Sequence, residues 1–259
     1  MPRLHANGST FEVAFDGADD APCLVLSNSL GSSLDMWSAL VGPFARHFRV
    51  LRYDTRGHGR SDVTPAPYSI ELLARDVLGL LDAAGIERAC FCGLSMGGAT
   101  GIWLAAHAPG RFDRFVFCNT APSLGPPAAM LERAATVRRD GLDGFADATM
   151  QRWFTADFRA RQPESVAVIR AAFLSTSPAG YAACCEALAG YDERDHLGTI
   201  DRPVLVVAGL HDPAPAIATA RDYASGIAGA RLVELDAAHL SNVEAAEAFN
   251  AAVQGFLAA

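Results

Sequence analysis

Apolar residues along the 259-residue chain follow two alternating rhythms. Short runs rich in β-branched and aromatic residues recur as STFEVAF (9 to 15), PCLVLS (22 to 27), FRVLRYD (48 to 54), ACFCG (89 to 93), RFVFCN (114 to 119), PVLVVAG (203 to 209) and RLVELD (231 to 236). The middle runs are nearly continuous in hydrophobicity, as in strands buried on both faces. Between them lie segments of helical spacing. In SIELLARDVLGLLDAAG, Ile70, Leu73, Val77, Leu80 and Leu81 share one stripe, and Gly85 follows the end. This alternation predicts an α/β fold built on a mostly parallel, doubly wound sheet.

The rhythm changes between about Pro122 and Thr199, where helical periodicity dominates and Pro126, Pro127, Gly141, Gly144, Pro163 and Pro178 punctuate it. The expected organisation is a core formed by residues 1–121 and 200–259, with 122–199 inserted as a helical cap.

Composition narrows the chemistry. About half the residues are hydrophobic, enough for a sizeable core, and the formal charge of −8 without blocks of like charge argues against nucleic acid or anionic membrane partners. Every basic residue is arginine, so lysine Schiff bases, Walker-type phosphate loops and serine–lysine dyads are ruled out. The six cysteines lack paired CxxC spacing and sit mostly in apolar segments, which points to reduced, buried thiols rather than a cysteine-held structural zinc. With no signal-like apolar region at the N-terminus and no apolar stretch of about 18 residues, the expectation is a soluble, cytoplasmic protein.

One motif carries most of the functional information. GLSMGG, Gly93 to Gly98, follows the strand ACFCG and precedes the helix-compatible GGATGIWLAAHA. A G-x-S-x-G at a strand-to-helix junction is a nucleophile elbow, in which flanking glycines let a sharp turn hold Ser95 in strained geometry. A serine hydroxyl needs a base, and without lysine the natural base is histidine. Of seven histidines, His239 in DAAHLSN follows the last strand, where a loop beyond the sheet edge can bring it over the elbow. Asp212, just after PVLVVAG, is the expected orienting acid, preferred over Asp236, which precedes His239 by only three residues. The resulting order Ser95, Asp212, His239 is that of α/β-hydrolases. The oxyanion formed by attack on a carbonyl is assigned to the backbone N–H groups of Met96, at the helix start, and Leu30, in the loop after PCLVLS.

The chain resembles the 3-oxoadipate enol-lactonases of the α/β-hydrolase fold. The likeness rests on LSNSLGSSLDMW, HFRVLRYDTRGHGRSD, PYSIELLARDVLGLLD, GLSMGG, RWFTADF, TSPAGYAACCEAL and AAHLSNVEAAEAF, spread from about residue 23 to the C-terminus. SNSLG, RYDTRGHG and AAHLSNVE are its more specific parts. The resemblance implies the triad Ser95, Asp212 and His239, with Arg133 in MLERAATV meeting the substrate carboxylate. It also marks a departure, because Met130 stands where a tryptophan is usual three residues before that arginine. Trp153, in RWFTADF, reads as cap core or as pocket lining and joins the substrate-binding set. The implied reaction is hydrolysis of a small anionic lactone, 3-oxoadipate enol-lactone, in the β-ketoadipate route of aromatic breakdown, with no cofactor and no metal. The alternatives are a carboxylesterase or lactonase for another acyl substrate, and a non-catalytic hydrolase-like binding protein.

Overall fold

The computed structural model describes residues 2–259. Eight strands form a single sheet: β1 (Arg3–Ala6), β2 (Ser9–Asp16), β3 (Cys23–Ser27), β4 (Arg49–Tyr53), β5 (Ala89–Leu94), β6 (Phe112–Cys118), β7 (Val204–Gly209) and β8 (Arg231–Leu235). Their spatial order is β1-β2-β4-β3-β5-β6-β7-β8, antiparallel at β1–β2 and β2–β4 and parallel throughout the remainder. Seven of these strands occupy the seven runs read from the sequence. The eighth, β1, is a four-residue edge ribbon, RLHA, held by pairing with β2 rather than by an apolar pattern of its own.

Alternate residues of each strand point to opposite faces. Leu24, Leu26, Val50, Cys92, Val116, Leu205 and Val207 pack in one cluster with α1 (Ser38–Ala45) through Leu40 and Phe44, and with α11 (Ala246–Leu257) through Phe249 and Val253. Val25, Leu51, Phe91, Phe115, Phe117 and Val206 pack in the other with α2 (Ile70–Ala83), α3 (Met96–His107) and α9 (Ile217–Ser225). The α2 stripe is buried as its spacing predicts. Ser69 caps that helix by accepting from Leu72 N–H at 3.0 Å, and Gly85 follows it at φ +68°.

Between β6 and β7 the chain forms five helices: α4 (Pro127–Asp140), α5 (Asp143–Trp153), α6 (Ala156–Arg161), α7 (Pro163–Leu174) and α8 (Pro178–Ala189). Helix α4 packs mainly on α8, and Arg138 forks onto the Glu186 carboxylate across that contact. A 3₁₀ turn, Arg194–Thr199, leads from α8 into β7, and a short helix, α10 (Ser241–Glu244), precedes α11. No helix among the described residues is long and apolar enough to cross a membrane.

The turn RYDTRGHGRSD is built around two buried acids. Asp54 accepts from the Leu34 and Arg60 N–H groups, each at 2.8 Å, and a side chain at Gly59 would collide with it, a Cβ lying 2.1 Å from Oδ2. Arg56 forks onto Asp76 of α2 at 2.8 and 2.5 Å and also reaches the Asn7 carbonyl, which pins the turn to the sheet edge.

Candidate active site

Ser95 sits between β5 and α3 at φ 58°, ψ −114°, a region that side-chain-bearing residues rarely enter. Its neighbours explain why the strain persists. A Cβ on Gly93 would lie 2.2 Å from the Gly97 carbonyl oxygen, so the first glycine is required across the elbow itself, as the motif predicts. The second is required for a different reason: a Cβ on Gly97 would lie 2.3 Å from the Ser27 carbonyl oxygen of the adjacent strand β3. Ser95 N–H donates to Cys118 O at 2.8 Å, and its carbonyl accepts from Thr120 Oγ1 at 2.8 Å, so the neighbouring strand end holds the elbow from both sides.

Asp212 lies just beyond β7 and His239 just beyond β8, and both are buried. His239 Nδ1 meets Asp212 Oδ2 at 2.7 Å. Burial pushes the Asp212 carboxyl upward in pKa, but the His239 charge and hydrogen bonds from His239, Asn119 Nδ2 and Ala214 N–H outweigh it, leaving the group below its ordinary value. Asp212 is therefore a carboxylate that can orient an imidazole and stabilise its cation. Asp236 is engaged elsewhere, on the surface with His211 at 2.7 Å.

The contact on the serine side is looser. Nε2 of His239 is buried with no hydrogen-bond partner, and no hydrogen bond joins it to Ser95 among the described residues. The two loops are nonetheless tied together through consecutive residues, since Asn119 binds Asp212 and the Ala238 carbonyl while Thr120 binds Ser95. Ser241 completes the clamp by donating to Asn119 Oδ1 at 2.6 Å. Sequence reasoning missed Asn119, Thr120 and Ser241. The available signal was the polar Asn-Thr pair closing the apolar strand RFVFC, beside the elbow strand.

The loop after β3 runs beside the elbow because Ser27 pairs with Gly93 in the parallel ladder. Asn28 fixes it, accepting from Trp37 Nε1, donating to the Tyr53 carbonyl and accepting Gly97 N–H on its own carbonyl at 3.0 Å. Gly31 N–H donates to His58 Nε2 at 2.9 Å. The N–H groups of Leu30 and Met96 have no acceptor among the described residues, the condition required of oxyanion donors.

A cavity of about 350 Å³ joins the elbow to the inserted helices, and its lining includes Leu30, Ser95, Met130, Arg133, Arg152 and Leu188. Arg133 of α4 lies over the Phe145 ring at 5.2 Å. Arg152 of α5 went unnoticed in the sequence. Its Nε is buried without a hydrogen-bond partner, and neither arginine pairs with a carboxylate among the described residues. Burial first, and the Arg133 charge second, disfavour the Arg152 cation. Trp153 is not in the lining. Its indole is fully buried in the core of the inserted helices, edge-on to Phe173 at 5.8 Å, because the helix turns residue 153 inward while its neighbour 152 faces the cavity. Its backbone carbonyl accepts Leu240 N–H at 3.0 Å, next to His239.

The six cysteines are free and buried. Burial pushes the Cys185 thiol up to about 12 and Cys184 well above its ordinary value, so neither is a thiolate nucleophile at neutral pH.

A sheet of this order, with a serine strained at the turn after its fifth strand, is that of an α/β-hydrolase, and the alpha/beta hydrolase fold family profile matches residues 22–178. Over 263 aligned residues the chain is 43% identical to 3-oxoadipate enol-lactonase 2 of Acinetobacter baylyi, spanning 99% of this chain and 98% of the relative. The crystal structure of the enol-lactonase from Burkholderia xenovorans LB400 superposes with a TM-score of 0.98 at 48% identity, over 100% of both chains. A thermophilic esterase from Thermogutta terrifontis matches at TM-score 0.93 and 26% identity, over 99% of this chain and 97% of the other. The chain belongs to the 3-oxoadipate enol-lactonase family of α/β-hydrolases, and it is a hydrolase.

Proposed function

We propose that the protein hydrolyses 3-oxoadipate enol-lactone to 3-oxoadipate through an acyl-enzyme on Ser95. Ser95 Oγ attacks the lactone carbonyl while His239 Nε2 accepts its proton, and the Leu30 and Met96 N–H groups receive the developing oxyanion. Collapse breaks the ring C–O bond, and His239 returns the proton to the departing enol oxygen, which tautomerises to the ketone. Water, deprotonated by His239, then attacks the acyl carbonyl, and the proton passes back to Ser95 Oγ as the second carboxylate is freed. Asp212 holds the imidazole tautomer throughout. A small rotation of Ser95 on substrate binding completes the relay, as catalytic hydrogen bonds tighten in the Michaelis complex.

The observation that carries the substrate assignment is the pair of arginines lining the cavity that holds Ser95. Arg152 and Arg133 line the same small cavity, without carboxylate partners. Burial and the Arg133 charge disfavour the Arg152 cation, a cost that an entering carboxylate offsets. That argues for an anionic acyl substrate over a neutral ester, with Met130 as an apolar wall for the ring. In this reading residues 122–199 act as a cap that supplies the substrate subsite, and residues 1–121 with 200–259 supply the chemistry. The free, buried thiols suit a reducing compartment, and we place the enzyme in the cytoplasm.

The test is to follow loss of freshly generated enol-lactone spectrally alongside hydrolysis of short neutral esters. A kcat/KM for the lactone no higher than for the esters would replace this reading with a general carboxylesterase. Mass spectrometry of the quenched reaction should find the acyl adduct on Ser95; turnover by clean Ser95→Ala protein would eliminate the covalent route.

A further inference from the structure

We propose that His107, Glu193 and His196 form a binding site for one divalent transition-metal ion of the zinc class, outside the catalytic cavity. His107 is the last residue of α3, Glu193 caps the 3₁₀ turn that leads into β7, and His196 lies within that turn. Glu193 Oε2 lies 3.1 Å from His107 Nε2 and 2.7 Å from His196 Nδ1, and one donor atom from each residue falls within 4.8 Å of the others. None of the three lines the cavity that holds Ser95.

The arrangement has the chemistry and the support of a ligand set. Two borderline imidazole nitrogens and one carboxylate oxygen are a donor set that Zn²⁺ accepts, and three protein ligands leave a fourth position for water. Tetrahedral ligands about 2.0–2.1 Å from zinc stand about 3.3 Å apart, so small side-chain movements accommodate the ion. The Glu193 side chain is 8% exposed and its backbone N–H is fixed to the Pro122 carbonyl at 2.8 Å. The His107 ring lies against Trp103, with centroids 4.6 Å apart, and meets the His196 ring edge to face at 4.9 Å, so the rings converge on the carboxylate instead of stacking on each other. The histidines are 34% and 47% exposed, which opens the group to solvent on one side and gives an ion a route in.

Without metal, both ring nitrogens serve as N–H donors to the shared oxygen. On binding, the ion takes the place of those hydrogens and each ring carries its proton on the opposite nitrogen. The bound ion joins the end of the helix that begins beside Ser95 to the segment by which the inserted helices return to the sheet. It is therefore a clip between α3 and the turn that leads into β7, and its effect appears in stability before it appears in chemistry.

The experiment uses full-length protein stripped with a chelator and titrated with Zn²⁺ by calorimetry, with Co²⁺ as a spectroscopic probe. One site per chain, an intense visible Co²⁺ band and a rise in Tm with Zn²⁺ are expected. His107→Ala and His196→Ala should each weaken binding at least about tenfold and abolish the Tm rise. Glu193→Gln, which keeps the side chain's shape and its acceptor oxygen, should weaken binding without loss of fold, so ligand loss is distinguished from collapse. Esterase turnover without metal should be unchanged in all three. Absence of saturable binding, or binding undiminished in the His107→Ala/His196→Ala double variant, overturns the proposal and leaves the cluster a hydrogen-bonded strap.

Discussion

Asn119 donates from Nδ2 to Asp212 Oδ2 at 3.0 Å, the same oxygen that faces His239 Nδ1 at 2.7 Å. One carboxylate oxygen thus serves both the imidazole and the strand end beside the elbow, and Asn119, at φ 46°, holds a conformation that asparagine tolerates better than most side chains. Replacing Asn119 with Ala removes a hydrogen bond to a charged group, worth about 1.5–3 kcal/mol. We expect kcat to fall at least tenfold with little change in KM, since the loss is in orientation of the base rather than in substrate contact. Steady-state kinetics on a neutral ester checks this, and an equal rise in KM would assign Asn119 to the pocket instead.

Ser95 stands at φ 58° because the fold imposes it, at a cost of about 1–3 kcal/mol. Glycine reaches that region without penalty. Ser95→Gly should therefore be inactive and more stable than the parent by about 1 kcal/mol, whereas Ser95→Ala should be inactive with no comparable gain. Chemical denaturation of the three proteins gives the answer. A Ser95→Gly protein less stable than Ser95→Ala would mean that the hydroxyl's contacts outweigh the strain.

Arg152 sets stability against function. Its Nε is buried without a partner, and Arg133 adds a second positive charge to the same cavity. Arg152→Met keeps the length and removes the charge. It should raise unfolding stability by about 2 kcal/mol while lowering kcat/KM for a carboxylated lactone at least tenfold, with little effect on a neutral ester. Thermal melts and paired kinetics measure both. Equal losses on charged and neutral substrates would show that Arg152 shapes the cavity without binding the carboxylate.

These contrasts show where the sequence was legible. The strand-end positions of Ser95, Asp212 and His239 were legible because each follows an apolar run that announces itself, and spacing separates the two acids, Asp236 standing only three residues before His239 while Asp212 follows the preceding strand. The Asn119 clamp was not, because its partners Asp212 and Ser241 lie 93 and 122 residues away and the parallel pairing of β6 with β7, and of β7 with β8, brings them together. Arg152 and Trp153 show the limit inside the inserted helices. Adjacent helical residues point about 100° apart, so an uncertain helix phase exchanges cavity lining for core. The strand β1 was missed for the same kind of reason, being specified by its partner β2 and not by its own four residues.

His58 links acid pH to the loop after β3. The side chain is 1% exposed, and burial lowers its pKa to about 4, a shift that the bond to the Arg56 carbonyl only partly offsets. The folded state holds the neutral ring, with Nδ1 facing Arg56 O and Nε2 accepting Gly31 N–H. An unfolded chain protonates its histidine near 6.5, so between that pH and about 4 it binds a proton that the folded chain does not. Stability from this residue is complete above about 6.5 and declines as pH falls, by about 3 kcal/mol in all once the folded pKa near 4 is reached. His58→Asn removes the titration, and its side-chain oxygen can still accept a hydrogen bond. Its unfolding free energy should fall less steeply than the parent's from pH 6.5 to 4, as measured by denaturant titration at each pH. Protonation also takes the acceptor from Gly31, next to Leu30 in the wall of the cavity, so activity on a neutral ester should fall together with that stability in the parent. Parallel pH–stability slopes in parent and variant would show that His58 is not the group that titrates.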